Sequence, residues 1–108
     1  MATFNLKKTE SGHFNFSLVG KSGNTLLKSE QYNSKASCQN GIESVRKNAS
    51  EESRYILKES SNGKFYFNLK AGNGQIIGTS PTVGSTAARD ELIAELKTSA
   101  AKATVKEE

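Results

Sequence analysis

Cys38 and His13 are the sole cysteine and histidine among 108 residues. Together they would supply a thiol nucleophile and its base, provided the fold joined two distant positions. His13 borders a turn signal, Ser11-Gly12, and is expected to be solvated. Cys38 falls on the apolar stripe of a helical pattern, where a free cysteine serves as a small hydrophobe. One cysteine and one histidine also exclude an internal disulfide and a Cys/His zinc centre. Gly20-Lys21-Ser22 has the ending of a phosphate-binding loop. Such a loop needs a glycine five residues earlier, where this chain has Asn15, and a helix afterwards, where it has a strand pattern. A hairpin loop is expected there. Glu10, Glu30, Glu43, Asp90, Glu91 and Glu95 offer carboxylates, but no spacing makes two of them converge for acid–base work. Asp90 and Glu91 suit the early turns of a helix instead. The chain is therefore expected to be a non-enzymatic binding or interaction module that uses no cofactor or metal.

The elements that position these residues come in two copies. At an offset of 51, Phe4-Asn5-Leu6-Lys7 lies over Tyr55-Ile56-Leu57-Lys58, and Gly12-His13-Phe14-Asn15-Phe16-Ser17-Leu18 lies over Gly63-Lys64-Phe65-Tyr66-Phe67-Asn68-Leu69. Gly23/Gly74, Ser29/Ser80, Ser34/Ser85, Ala36/Ala87, Ile42/Ile93 and Ala49/Ala100 continue the match without a gap. The identities fall on apolar, glycine and serine positions, which marks a duplicated structural unit. Residues 1–50 are read as repeat one and 51–108 as repeat two of a single compact domain.

Within each copy the period changes. Phe4 and Leu6, then Phe14, Phe16 and Leu18, alternate with polar residues as half-buried strands do. Asn62-Gly63 is read as the source of the positive φ angles of a tight hairpin. Thr25–Ser29 and Ile76–Ser80 follow as short strands. Ser34 and Ser85 are expected to cap helices, along which Cys38, Ile42, Val45 and Ala49, or Ala88, Leu92, Ile93, Leu96 and Ala100, recur at helical spacing. Pro81 rigidifies the approach to the second helix. Gly41, mid-helix, stands opposite Leu92 in the other copy. The expectation is that the helices pack on each other there, Leu92 filling the space Gly41 leaves.

Leu, Ile, Val and Phe make up 22 of the 108 residues, near the lower edge for a folded chain. One β-β-β-α unit of this composition encloses too little. Two units joined edge to edge give an α+β fold: one antiparallel sheet of at least six strands with both helices on one face, related by a pseudo-twofold axis. The chain is then a monomer containing an internal pseudo-dimer. No apolar run approaches a membrane span and the N-terminus does not read as a signal sequence, so a cytoplasmic location without membrane association is expected.

Ser34-Lys35-Ala36-Ser37-Cys38-Gln39-Asn40-Gly41-Ile42-Glu43-Ser44-Val45-Arg46-Lys47-Asn48-Ala49 resembles the YegP-like family of small bacterial proteins of unknown function. Asn62-Gly63-Lys64-Phe65-Tyr66-Phe67-Asn68-Leu69-Lys70-Ala71 is similar to the same family's strand signature. The resemblance covers nearly the whole chain in its tandem form. It implies β-β-β-α-β units paired in one sheet with C-terminal strands exchanged, which would make Thr104-Val105-Lys106 a strand. Repeat two departs from the pattern, with Glu91-Leu92-Ile93 in place of Asn-Gly-Ile. The resemblance brings no activity, substrate or site residue.

Phe14, Phe16, Phe65 and Phe67 share the parity of Leu18 and Leu69 and are expected beneath the helices. The other face then carries Lys7, Asn15, Ser17 and Lys28 with Lys58, Tyr66, Asn68 and Lys70. The candidate binding face is Lys7, Lys28, Lys58, Tyr66, Asn68 and Lys70. Lysines on phosphates and Tyr66 against a base would give weak, mostly non-specific nucleic-acid binding. A protein partner on this face or on a sheet edge is the other kind of ligand it suits.

Overall fold

The computed structural model describes residues 2–107. Repeat one contains β1 (Thr3–Lys8), β2 (Phe14–Val19), β3 (Thr25–Ser29) and α1 (Lys35–Asn48). Repeat two contains β4 (Tyr55–Glu59), β5 (Phe65–Lys70), β6 (Ile76–Thr79) and α2 (Thr86–Ser99), and the chain ends in β7 (Thr104–Glu107). The sheet runs β4-β5-β6-β3-β2-β1-β7, so the two copies meet at β3 and β6, the middle of a near-palindrome.

The six strands of the repeats are antiparallel to their neighbours, whereas β7 adds parallel to β1, making the sheet mixed rather than wholly antiparallel. The duplication explains this. The chain leaves α1 through the short turn Glu52–Arg54 and enters β4; it leaves α2 through Ala100–Lys102 by the equivalent route. The place equivalent to β4 is already held by β1, so β7 settles outside it with the same direction. The expected strand at Thr104-Val105-Lys106 is present, and it belongs to the far half of the sheet.

Local chemistry accounts for the elements. Ser34 Oγ accepts from Ser37 N–H, and Ser85 Oγ accepts from Ala88 N–H, each at 3.1 Å, so both helices begin at serine caps. All four hairpins close alike: the glycine N–H of Gly12, Gly23, Gly63 or Gly74 donates to the carbonyl three residues back, with the glycine alone in the left-handed region. Asn62 therefore does not take a positive φ, and the turn is followed by a left-handed glycine rather than built on two left-handed residues. Gly20-Lys21-Ser22 lies in one of these turns, as a hairpin loop.

A bulge doubles the core contribution of β3. Leu18 pairs with Leu27 and Val19 with Thr25, leaving Leu26 as the extra residue. Leu26 and Leu27 are consequently adjacent in sequence and both fully buried, although strict alternation would turn one of them outward. β6 carries the equivalent bulge, Leu69 pairing with Gly78 and Lys70 with Ile76, and Ser29 and Ser80 have a shared task just past the two bulges. Each hydroxyl accepts the N–H of the facing strand, Phe16 at 2.8 Å and Phe67 at 3.0 Å, and donates to the next carbonyl. An alanine at either place would leave a strand N–H without its partner, which costs about 1–3 kcal/mol where it is buried.

The core lies between the sheet and the helices: Phe4, Phe16, Leu18, Leu26, Leu27, Ile42, Val45, Phe67, Leu69 and Leu96 are all sealed from solvent. Each of these large side chains contributes roughly 1.5–3 kcal/mol by leaving water. Phe14 and Phe65, one step nearer the turns, are only half-buried, with Arg89 over the Phe65 ring at 5.5 Å. The explanation for Gly41 differs from the one expected. A Cβ at Gly41 would stand 2.7 Å from Tyr32 Cζ and 3.1 Å from Phe16 Cε2. Tyr32 of the same repeat lies across the helix there, stacked on Phe16 at 6.3 Å. The space beside Gly41 is filled by Tyr32 and Phe16 of its own copy rather than by Leu92 across the axis, and the positions of Tyr32 and Gly41 are Val83 and Leu92 in repeat two.

Candidate binding surfaces

Because α1 and α2 cover one side of the sheet, the other side is open, and its register can be followed strand by strand. One continuous row of paired residues crosses all seven strands: Lys106, Asn5, Ser17, Lys28, Thr79, Asn68 and Ile56. Beside it, Lys7 pairs with Asn15 in one half and Lys58 with Tyr66 in the other. Lys70 pairs with Ile76. Lys7, Lys28, Lys58, Tyr66, Asn68 and Lys70 thus occupy one face, joined by Lys106, which sequence reading did not include. The signal for Lys106 was its alternation with Val105 in the expected strand, and its face is fixed only by the pairing of Lys106 with Asn5. Lys7, Lys28, Lys58 and Lys106 are exposed, while Tyr66, Asn68 and Lys70 are half-buried among their neighbours. Asn68 Nδ2 donates to Thr79 Oγ1 at 2.8 Å, stiffening the middle of the row.

The charge on this face has one sign. Among the described residues, every ionised side chain at an outward strand position is a lysine: Lys7, Lys28, Lys58, Lys70 and Lys106. The carboxylates lie elsewhere. Glu43 and Glu51 pair with arginines on α1 and after it, and Glu52 pairs with Lys97.

The thiol and imidazole are not brought together. Cys38 is sealed in the core, where burial pushes its thiol up to about 11, so it stays protonated and inaccessible at neutral pH. His13 remains on the first hairpin turn, its Nδ1 2.9 Å from Ser11 Oγ.

Two clefts on the helix side were not legible in the sequence. A shallow polar one of about 530 Å³ lies between α1 and the β5–β6 hairpin, lined among others by Glu30, Tyr32, Asn40, Ser44 and Gln75. Burial, with Cys38 and Glu30 nearby, raises the pKa of the Tyr32 phenol in this cleft. The second, of about 500 Å³ and more apolar, runs between α2 and the outer edge of β4.

Comparison with known proteins bears directly on the duplication. The model of a domain of unknown function, DUF1508, matches twice, at residues 10–55 and again at 60–107. The chain belongs to the DUF1508 family. Among curated DUF1508 relatives it is 47% identical over 104 residues to the UPF0339 protein YegP of Escherichia coli K12, covering 96% of this chain and 94% of that one. It is 46% identical over 105 residues to a UPF0339 protein encoded in the ptx operon 5′ region of Stutzerimonas stutzeri, covering 97% and 95%. The fold matches the solution structure of E. coli YegP, described as a protein of unknown function, with a TM-score of 0.92 at 46% identity over 98% of this chain and 91% of that one. The UPF0339 protein of Shewanella oneidensis superposes with a TM-score of 0.93 at 42% identity, covering 98% and 90%. The DUF1508 relatives carry no enzymatic name. No described helix is long and apolar enough to cross a membrane.

Proposed function

We propose that this DUF1508 protein works by binding rather than by catalysis, and that the open sheet face is its contact surface for a polyanion, single-stranded nucleic acid in the first instance. The observation that supports this is the lysine-only charge of an uncovered seven-stranded face. Lysines on a flat sheet meet phosphates without sequence preference, and binding gains from the counterions released. Tyr66 offers a ring to a base, whose stacking is tolerant of base identity. Asn5, Ser17 and Asn68 add donors and acceptors between the charges. An antiparallel sheet can also keep one face merely solvated, so the experiment has to separate the two.

Titration of the protein with a single-stranded oligonucleotide at low salt is expected to shift the NMR signals of Lys7, Lys28, Lys58, Tyr66, Asn68 and Lys70. The apparent affinity should fall with salt by about 0.7 log units per decade for each phosphate neutralised. Lys58→Glu should weaken binding and flatten that dependence by about one contact. An unchanged spectrum at low salt would leave the face as ordinary solvated surface.

A further inference from the structure

The two outer edges of the sheet differ in a way the duplication makes informative. On one side β1 is covered by β7, and Phe4 and Leu6 are 0% and 3% exposed. On the other, β4 is the terminal strand, with no described strand on its outer edge. There Tyr55, at the place of Phe4, is only half-buried, and Leu57, at the place of Leu6, is 54% exposed. The same positions of the same repeat are dry where a parallel strand lies beside them and wet where none does.

The helix side repeats the contrast. Val105 of β7, 43% exposed, lines only a small cleft of about 220 Å³ with Gln39, Asn40, Ile42 and Glu43 of α1. The equivalent stretch of α2 contains Asp90, Ile93 and Ala94, which with Tyr55 and Leu57 line the open cleft of about 500 Å³. The ends of the two seats are also matched. Arg46 donates to the carbonyl of Ala103 at 2.6 Å, just ahead of β7, and lies over the Phe4 ring at 5.5 Å. Lys97, at the place of Arg46, instead binds the Glu52 carboxylate at 2.6 Å and lies 5.9 Å from the Tyr55 ring centre. Glu52 closes that end, and the seat stays open alongside Tyr55 to Leu57.

We infer that the outer edge of β4 is a docking site for an extended peptide segment of a protein partner, which adds parallel to β4 as β7 adds to β1. Strand addition satisfies the edge's outward N–H and C=O groups, and side-chain pockets give the selection. Two features define the peptide. A β-branched apolar residue takes the place of Val105, over Ile93 and beside Tyr55, the equivalent of the Phe4 that pairs with Val105. Two residues later comes lysine or arginine, the reverse of β7. In the β1 seat, Glu107 at that position is held by Lys35 Nζ at 2.7 Å. In the β4 seat Lys35 is replaced by Thr86 and Gln39 by Asp90, so the cation is gone and a carboxylate has arrived. This site lies apart from the lysine face and stands whether or not that face binds nucleic acid.

The test uses the intact protein and two end-blocked hexapeptides, one with the sequence of residues 102–107 and one with Glu107→Lys. On titration at millimolar peptide, NMR shifts are expected at Tyr55–Glu59 and at Asp90 and Ala94. The Glu107→Lys peptide should bind about threefold more tightly, the scale of one exposed charge pair. Asp90→Lys in the protein, at an exposed position, should reverse that preference. The proposal is overturned if neither peptide shifts the β4 signals. It is equally overturned if the shifts fall on Thr3–Lys8, which would mean exchange with β7, or if Asp90→Lys leaves the preference unchanged. Shifts at β4 that grow with protein concentration alone, with slowed diffusion, would assign the edge to a second copy of the chain and also overturn it.

Discussion

Gly78→Leu is expected to cost about 3 kcal/mol or more, at or above the upper end of what overpacking a core costs. Gly78 pairs with Ser29 where β3 meets β6, so it stands at the joint between the two copies. A Cβ there would lie 2.7 Å from the Lys28 carbonyl oxygen and 3.0 Å from Leu27 Cγ. The first of these neighbours is backbone and cannot rotate away, so the joint itself must widen. Leu27 occupies the equivalent place in repeat one, fully buried. The pseudo-twofold axis allows one leucine and one glycine there, not two leucines. A chain of this length holds on the order of 5–15 kcal/mol in total, so the loss should appear as a fall of many degrees in Tm. Denaturant unfolding checks it, and a midpoint close to that of the parent protein would contradict the packing described for the joint.

The second large effect is a double-mutant cycle at Tyr32 and Gly41. Gly41→Leu drives its side chain into the Tyr32 ring and the edge of Phe16, and about 2–3 kcal/mol should be lost. Tyr32→Val removes the obstruction and reproduces the pair that repeat two already carries, Val83 with Leu92. Adding it to Gly41→Leu should therefore recover most of the loss, a coupling energy of about 1–3 kcal/mol for residues in contact. Additive losses, measured by equilibrium unfolding of the two single variants and the double variant, would contradict exchange of volume within each copy.

These cases mark what a linear reading reaches. Alternation along Phe14–Leu18 and Phe65–Leu69 shows the strands and their buried side, because the side-chain period of a strand is a local property. Ser34 and Ser85 show the helix starts for the same reason. The repeat offset shows the pairing of halves. What stayed hidden depends on neighbours from elsewhere in the chain. Leu26 and Leu27 both face inward because of a bulge set against β2. Gly41 answers to Tyr32, nine residues away in sequence and across the helix in space. Leu57 has the parity of a core residue, and it is wet because β7 went to β1 and nothing described lies beside β4. The lysine face was legible as a set of residues through parity alone; its single sign of charge, with Lys106 included, needed the full strand order.

The central claim is that two like units complete one interior that neither encloses alone. It is tested most directly by residues 1–53 expressed by themselves and followed by thermal circular dichroism and sedimentation across a range of concentrations. The expected result is no cooperative transition in the monomer, with structure appearing only as the fragment associates, since Leu26 and Leu27 would otherwise face water along the exposed β3 edge. A cooperative melting transition in a fragment that sediments as a monomer would contradict the claim.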